Sequence, residues 1–186
     1  MKSELTVRLA ARLSALRAAR GWTLDQLAAA SGVSRAALSR LENAEVSPSA
    51  DVLYRLSAAH EMTLSRLMSL MEDGFAAQVR RDDQALWRDG ETGLSRRIVS
   101  PAAPALAGEV IECKITPGTH WVQEAPEVPG QEHHLVMLTG YMHAVVDGEA
   151  HYLAPGDTLR YREHGETRFV TAKGQGAKFM MCRISG

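Results

Sequence analysis

The amino-acid sequence predicts an α+β protein of two domains, a helical N-terminal bundle followed by an antiparallel β sandwich or small barrel. Three observations carry this. Up to about residue 71 the apolar residues recur at three- and four-residue spacing, the period of a helix. From about residue 94 they alternate and are punctuated by turn pairs, the texture of short strands. The length of 186 residues, with 45% hydrophobic and 23% charged side chains, suits two small folded cores and is too short for two large ones.

The helical elements can be read in order. Leu5, Leu9, Leu13 and Leu16 form one stripe, and Gly21 ends that helix. Thr23-Leu24-Asp25-Gln26 fits a capping box, in which the hydroxyl takes a free amide and the glutamine reaches back. A short helix follows with Leu27 and Ala28 inward, and Gly32 closes it because a left-handed residue is cheap there. Ser34 caps the next helix, 35–43, with Leu38 and Leu41 inward. Ser47-Pro48-Ser49 leads into a fourth helix marked by Val52, Leu53 and Leu56. Thr63 starts a fifth, with Leu64, Leu67 and Met68 inward, and Trp22 is expected in the same core. These elements define a domain over 1–71. Residues 72–93 read as a polar linker, part helix and part strand.

In the domain expected over 94–186, Ile111, Cys113 and Ile115 share one face of a strand, and Leu135 and Met137 continue the habit. Asp147-Gly148 is a hairpin signal between Tyr141–Val146 and Ala150–Leu153. Pro155-Gly156-Asp157 precedes a strand over 158–162, and further strands are expected over 167–171 and 178–184.

Composition narrows the function. No apolar run reaches the ~18 residues of a membrane span, and the first residues lack the apolar core of a signal peptide. Cys113 and Cys182 have neither a disulfide framework nor metal-ligand spacing, so a reduced cytoplasmic setting is expected. The net charge of −1 hides an asymmetry. Residues 1–71 hold nine Lys and Arg against six Asp and Glu, while the remainder holds twelve against sixteen. The N-terminal half therefore has a mild electrostatic reason to meet a polyanion.

A helix, the turn Gly32-Val33-Ser34, and a second helix form the geometry that projects a helix into a DNA major groove. The match is more than geometric. Arg20-Gly21-Trp22-Thr23-Leu24-Asp25-Gln26-Leu27-Ala28, Ser31-Gly32-Val33-Ser34-Arg35, Leu38-Ser39-Arg40-Leu41-Glu42-Asn43 and Ser47-Pro48-Ser49 closely resemble the phage-repressor-like, xenobiotic-response-element type helix-turn-helix family over residues 5–70. The resemblance implies that helix 35–43 reads DNA through Arg35, Ala36, Ala37, Ser39 and Arg40. Each arginine offers a fork of donors to guanine or phosphate, and the alanines offer apolar contact to a thymine methyl. Thr23 and Ser34, with the amides at their helix starts, would hold phosphates. Leu24 stands where the family often has Gln, which removes one polar contact. Glu42 reads as an internal salt-bridge partner rather than a base reader.

The strand-rich half resembles the cupin family through Pro117-Gly118, Val136-Met137-Leu138-Thr139-Gly140, Val146-Asp147-Gly148-Glu149 and Leu153-Ala154-Pro155-Gly156-Asp157. The resemblance implies an antiparallel β jelly-roll barrel. Helix-turn-helix, linker and cupin in that order, with Trp87-Arg88-Asp89-Gly90-Glu91-Thr92-Gly93 and Arg96-Arg97-Ile98-Val99-Ser100-Pro101, also resemble a class of bacterial transcription regulators.

Metal-binding cupins converge imidazoles and one carboxylate inside the barrel. Here the glutamate position holds His133, the His-x-His region holds Glu124, Ala125 and Pro126, and the last histidine position holds Thr167. The expectation is no metal, no cofactor and no catalytic residue. His133 is then a hydrogen-bonding group in a pocket or a satisfied core histidine, and a rearranged metal site using His133 and a neighbour stays open as the alternative. Alternation places His133 and Met137, then Thr167 and Phe169, inside. Trp121 and Tyr161 are candidate aromatic walls, with packing outside the barrel as the alternative for either. Cys113 and Cys182 read as inert thiols, and Glu163 and Glu166 as solvated charge beside a turn. No nucleophile elbow, phosphate loop or paired-cysteine motif appears.

The resemblances imply a transcription regulator that binds a DNA operator as a homodimer and senses a small-molecule effector in its barrel. Two alternatives stay open: a metal-dependent cupin isomerase or dioxygenase tethered to a DNA-binding head, and a barrel that only dimerises.

Overall fold

The computed structural model describes residues 4–70 and 76–184. The chain divides into two compact units, residues 1–74 and 75–186. No described helix is long and apolar enough to cross a membrane.

The described residues of the first unit form five helices: α1 (Glu4–Ala19), α2 (Leu24–Ser31), α3 (Arg35–Glu42), α4 (Ala50–Ala59) and α5 (Leu64–Ser69). Each helix start after α1, and the end of α2, has a local chemical cause. Thr23 Oγ1 accepts the Gln26 amide at 3.2 Å, and Gln26 Oε1 accepts the Thr23 amide at 2.8 Å, which completes the capping box. Gly32 takes φ 67° and its amide returns to the Ala28 carbonyl, so α2 stops and the chain turns sharply into α3. Ser34, Ser49 and Thr63 cap α3, α4 and α5 through the amides of Ala37, Val52 and Arg66. Leu9, Leu13, Leu27, Val33, Leu38, Leu41, Leu56 and Leu67 form one buried core, with Leu16, Trp22 and Leu24 packed partly against it.

Two expected core residues are corrected. Leu5 is 54% exposed and Met68 is 40% exposed. Leu5 lies a full turn before Leu9, where burial begins. Met68 is adjacent to the fully buried Leu67, and neighbours on a helix diverge by ~100°, so both cannot point into one core.

The second unit is two facing antiparallel sheets. Its strands are β1 (Leu86–Arg88), β2 (Leu94–Ser100), β3 (Gly108–Ile115), β4 (His120–Gln123), β5 (Gln131–Gly140), β6 (Met142–Val146), β7 (Glu149–Leu153), β8 (Thr158–Glu163), β9 (Thr167–Val170) and β10 (Ala177–Ile184). One sheet runs β1-β2-β3-β10-β5-β8 and the other β4-β9-β6-β7. This is the jelly-roll arrangement of a cupin, and with the helical unit it makes the α+β class.

In β3, β5 and β10 the odd-numbered residues turn inward, so Ile111, Cys113, Ile115, Leu135, Met137, Phe179 and Met181 meet Ala144 and Phe169 from the other sheet. Asp147 and Gly148 both have positive φ, 50° and 84°, which matches the hairpin twist between β6 and β7. The β1, β2 and β4 strands were not anticipated as such. β2 carries two consecutive arginines that blur its alternation, and β4 is only four residues long. The expected linker 72–93 contains a 3-10 turn at Arg81–Asp83 and β1, which pairs with β2 at the sheet edge.

Candidate functional site

Two candidate sites emerge, one in each unit. In the helical unit the Gly32 turn and the Ser34 cap aim α3 away from α2, while Leu38 and Leu41 anchor its inner face. Its outer face carries Arg35, Ala36 and Arg40, all exposed, with Ser39 half-buried. Ala37 is half-buried and packs against the bundle core, so of the two expected apolar contacts only Ala36 lies open.

The exposed arginines rest against local carboxylates. Arg35 Nε lies 3.3 Å from Asp25 Oδ1, and Arg40 Nε lies 3.8 Å from Glu45 Oε2. These pairs join residues distant enough in sequence that helical spacing did not reveal them. Thr23 and Ser34 use their hydroxyl oxygens as acceptors in the caps, so each O–H remains able to donate to a phosphate oxygen.

Glu42 is fully engaged inside the bundle, as its expected salt-bridge role required. Arg17 donates to it from Nε at 2.8 Å and from Nη2 at 2.7 Å, and its Nη1 donates to the Trp22 carbonyl at 2.8 Å. The carboxylate holds the guanidinium in its charged form, raising its pKa.

The barrel encloses a cavity of about 40 Å³. Five of the six expected ligand-binding residues line it: Trp121, His133, Tyr161, Thr167 and Phe169. Met137 does not. It is buried in the apolar core, four residues along β5 from His133. Four strand residues span ~13 Å, so facing the same way does not bring Met137 to the same end of the barrel.

His133 is buried and meets the Tyr161 ring edge-on at 5.0 Å. Its Nε2 lies 3.2 Å from Gln131 Oε1, whereas its buried Nδ1 has no partner. Burial, with the positive charges of Arg183 and His134, pushes its pKa down to about 4. The ring is therefore neutral near pH 7.

Glu163 corrects the expectation of solvated charge. It is buried, lines the cavity, and accepts the Thr167 hydroxyl at 2.7 Å. Burial raises its pKa. Its shared parity with Tyr161 on β8 was the signal available in the sequence. Glu166 remains beside the turn, paired with Arg168.

Three charged lining residues were missed altogether: Arg96, Glu127 and Arg183. Arg183 donates to Glu109 Oε1 at 2.6 Å and Glu127 Oε2 at 3.2 Å. Arg96 lies over Trp121 at 5.3 Å and Trp87 at 5.6 Å. Trp121 in turn stacks on Phe169 at 5.2 Å, and Phe169 meets Phe179 edge-on at 5.5 Å. Cys113 also lines the cavity, and burial pushes its thiol up to about 11, consistent with an unreactive side chain.

The residues do not fit the metal centre that the cupin fold often carries. Among the described residues no three His, Cys, Asp or Glu side chains come together as ligands. His134 turns outward to Glu132 at 2.8 Å, and His143 stacks on Tyr152 at 4.5 Å. Thr167 occupies the cavity position expected from the sequence.

Comparison with known proteins agrees with both units. Residues 13–67 match the family described as Helix-turn-helix. The HTH-type transcriptional regulator SutR of Escherichia coli K12 is 28% identical over 153 residues, covering 82% of this chain and 81% of that protein. The crystal structure of an HTH_3 family transcriptional regulator from Vibrio cholerae has a TM-score of 0.55 and 21% identity, covering 98% of this chain and 97% of that one. Hydroxypropylphosphonic acid epoxidase from S. wedmorenis shares the fold at a TM-score of 0.50 and 15% identity, covering 96% and 98%.

Proposed function

We propose, since residues 13–67 match the family described as Helix-turn-helix, that this chain is a sequence-specific DNA-binding transcription regulator whose cupin barrel senses a small-molecule effector. It acts as a homodimer, each α3 reading one half-site of an approximately palindromic operator. The half-sites lie about one helical turn apart. The observation that carries this reading is the outer face of α3, where Arg35, Ala36 and Arg40 stand exposed directly after a capped turn.

The mechanism divides by chemistry. Ser34, Thr23 and the free amides of their helix starts position the head on phosphates. Arg35 and Arg40 present forked donors to base edges. The barrel supplies a buried aromatic and polar cavity suited to a small ligand. An effector alters operator affinity only through unequal binding to the two dispositions of the DNA heads.

Selection of duplexes from a random pool by the full chain tests the reading. A two-fold symmetric consensus, bound far more tightly than random DNA at moderate salt, is expected. Binding that shows no sequence preference at any salt concentration defeats it.

A further inference from the structure

Among the described residues that line the cavity, Arg96 is the arginine held by aromatic rings rather than by a carboxylate. Arg96 on β2 lies directly across from Trp87 on β1 in the sheet register, and Trp121 reaches it from the opposite sheet. Its neighbour Arg97 is near Glu112 at 3.9 Å, and Arg183 is held by Glu109 and Glu127. Among the described residues Arg96 has no carboxylate at ion-pair distance and no hydrogen-bond acceptor; its contacts are the two indole rings.

The cavity carboxylates are already engaged, Glu127 by Arg183 and Glu163 by the Thr167 hydroxyl. Arg96 is half-buried without a counter-ion, which weakens its hydration, and two aromatic faces offset only part of that. Neither indole ring accepts a conventional hydrogen bond from Arg96, so its N–H donors remain for another partner.

We propose that this cavity is a receptor for a small organic carboxylate, whose anionic head pairs with Arg96 and whose apolar body lies against Trp121, Phe169 and Phe179. The fork of Arg96 can pair with a carboxylate or with a tetrahedral oxyanion. The other cavity cation, Arg183, is already held by Glu109 and Glu127, so one arginine is left to balance one charge, which favours a monocarboxylate over a doubly charged oxyanion. The aromatic walls favour a ligand with hydrocarbon attached. A volume of about 40 Å³ exceeds the space of one water and falls well below that of a benzene-binding cavity, so the occupant is short or enters head first. Neutral His133 donates from Nε2 to Gln131 Oε1, so its unpartnered Nδ1 is an acceptor and suits an O–H or N–H on the body of the ligand rather than its carboxylate head.

This inference rests on the reading of the barrel as the sensing module, but its test does not use DNA. Propionate and benzoate are titrated into the full chain, with propionamide, benzamide and sulfate as controls. Calorimetry, thermal shift and tryptophan fluorescence are followed, since Trp87 and Trp121 flank the head. At least one carboxylate should bind saturably, at least tenfold more tightly than its amide and than sulfate. Arg96→Gln should weaken binding at least tenfold, and Arg96→Lys should restore part of it. Trp87→Leu, at an exposed strand position, should weaken it several-fold and serves if the Arg96 variants do not fold. Equal binding of acid and amide, preference for sulfate, or unaltered binding in Arg96→Lys and Trp87→Leu overturns the proposal. A gel shift with Arg96→Lys separates the two readings. Retained DNA binding with lost carboxylate binding supports the receptor, whereas failure of the unaltered chain to bind any DNA sequence selectively counts against the regulator alone.

Discussion

Arg17 on α1 and Glu42 at the end of α3 are joined by two parallel hydrogen bonds of 2.8 and 2.7 Å, with side chains only 21% and 10% exposed. Two planar groups meeting edge to edge fix distance and orientation together. The C-terminal end of α3 is thereby tied to the longest helix of the bundle, and its exposed arginines stand on a braced element. Removing either partner leaves a shielded charge unpaired. Glu42→Ala should cost about 2–3 kcal/mol in the unfolding of the helical unit. A double-mutant cycle with Arg17→Ala, followed by urea denaturation, checks whether the loss belongs to this pair.

Arg35→Ala and Arg40→Ala should each weaken binding to a selected operator by ~1–3 kcal/mol if the side chain reads a base. The loss should vanish against random DNA for a base reader and persist for a phosphate contact, with a shallower salt slope. Asp25→Asn and Glu45→Gln should act oppositely, because each removes a carboxylate that competes for the same guanidinium. Gel-shift titrations at two salt concentrations measure all four.

Two glycines should respond very differently to alanine. At Gly32 an added Cβ comes no closer than 3.9 Å to Arg55, so Gly32→Ala meets only the left-handed backbone penalty of ~1–2 kcal/mol. At Gly140 the Cβ would lie 1.9 Å from the Gly176 carbonyl oxygen, beside the register shift between β5 and β10. Neither backbone can yield without unpairing the strands. Gly140→Ala should abolish folding of the barrel, read as loss of its cooperative transition, while the helical unit retains its own.

Cavity protonation gives opposed pH dependences. The folded chain keeps His133 neutral down to about pH 4, whereas an unfolded histidine titrates near its ordinary value of about 6.5. Between these values the unfolded state binds the extra proton, so stability falls as pH drops through that window, by a ceiling of about 3 kcal/mol. His133→Gln should flatten this decline in a pH series of urea melts. Glu163 has the opposite sign: its folded pKa is raised, so its contribution is full below the ordinary carboxyl range and is lost as pH rises through the folded value. Relative to Glu163→Gln, the unaltered protein should gain stability as pH falls.

The local order of this protein was legible in its sequence. The capping box at Thr23 and Gln26, the left-handed stop at Gly32, the cap at Ser34 and the hairpin at Asp147-Gly148 all depend on residues within four positions of one another. Alternation on β5 and β9 likewise put His133, Thr167 and Phe169 inside the barrel, whereas Tyr161 was open to either face until the sheets closed around it. What alternation cannot supply is depth: it assigns a face of a sheet and says nothing of distance along the barrel, which is why Met137 was grouped with residues it does not join. Only the tertiary structure brought Arg17 to Glu42, left Arg96 between Trp87 and Trp121 without a counter-ion, and buried Glu163 against Thr167. The physical reason is range. Caps and turns act through neighbouring backbone groups, whereas the pairing and desolvation of a charge depend on which distant strands close around it.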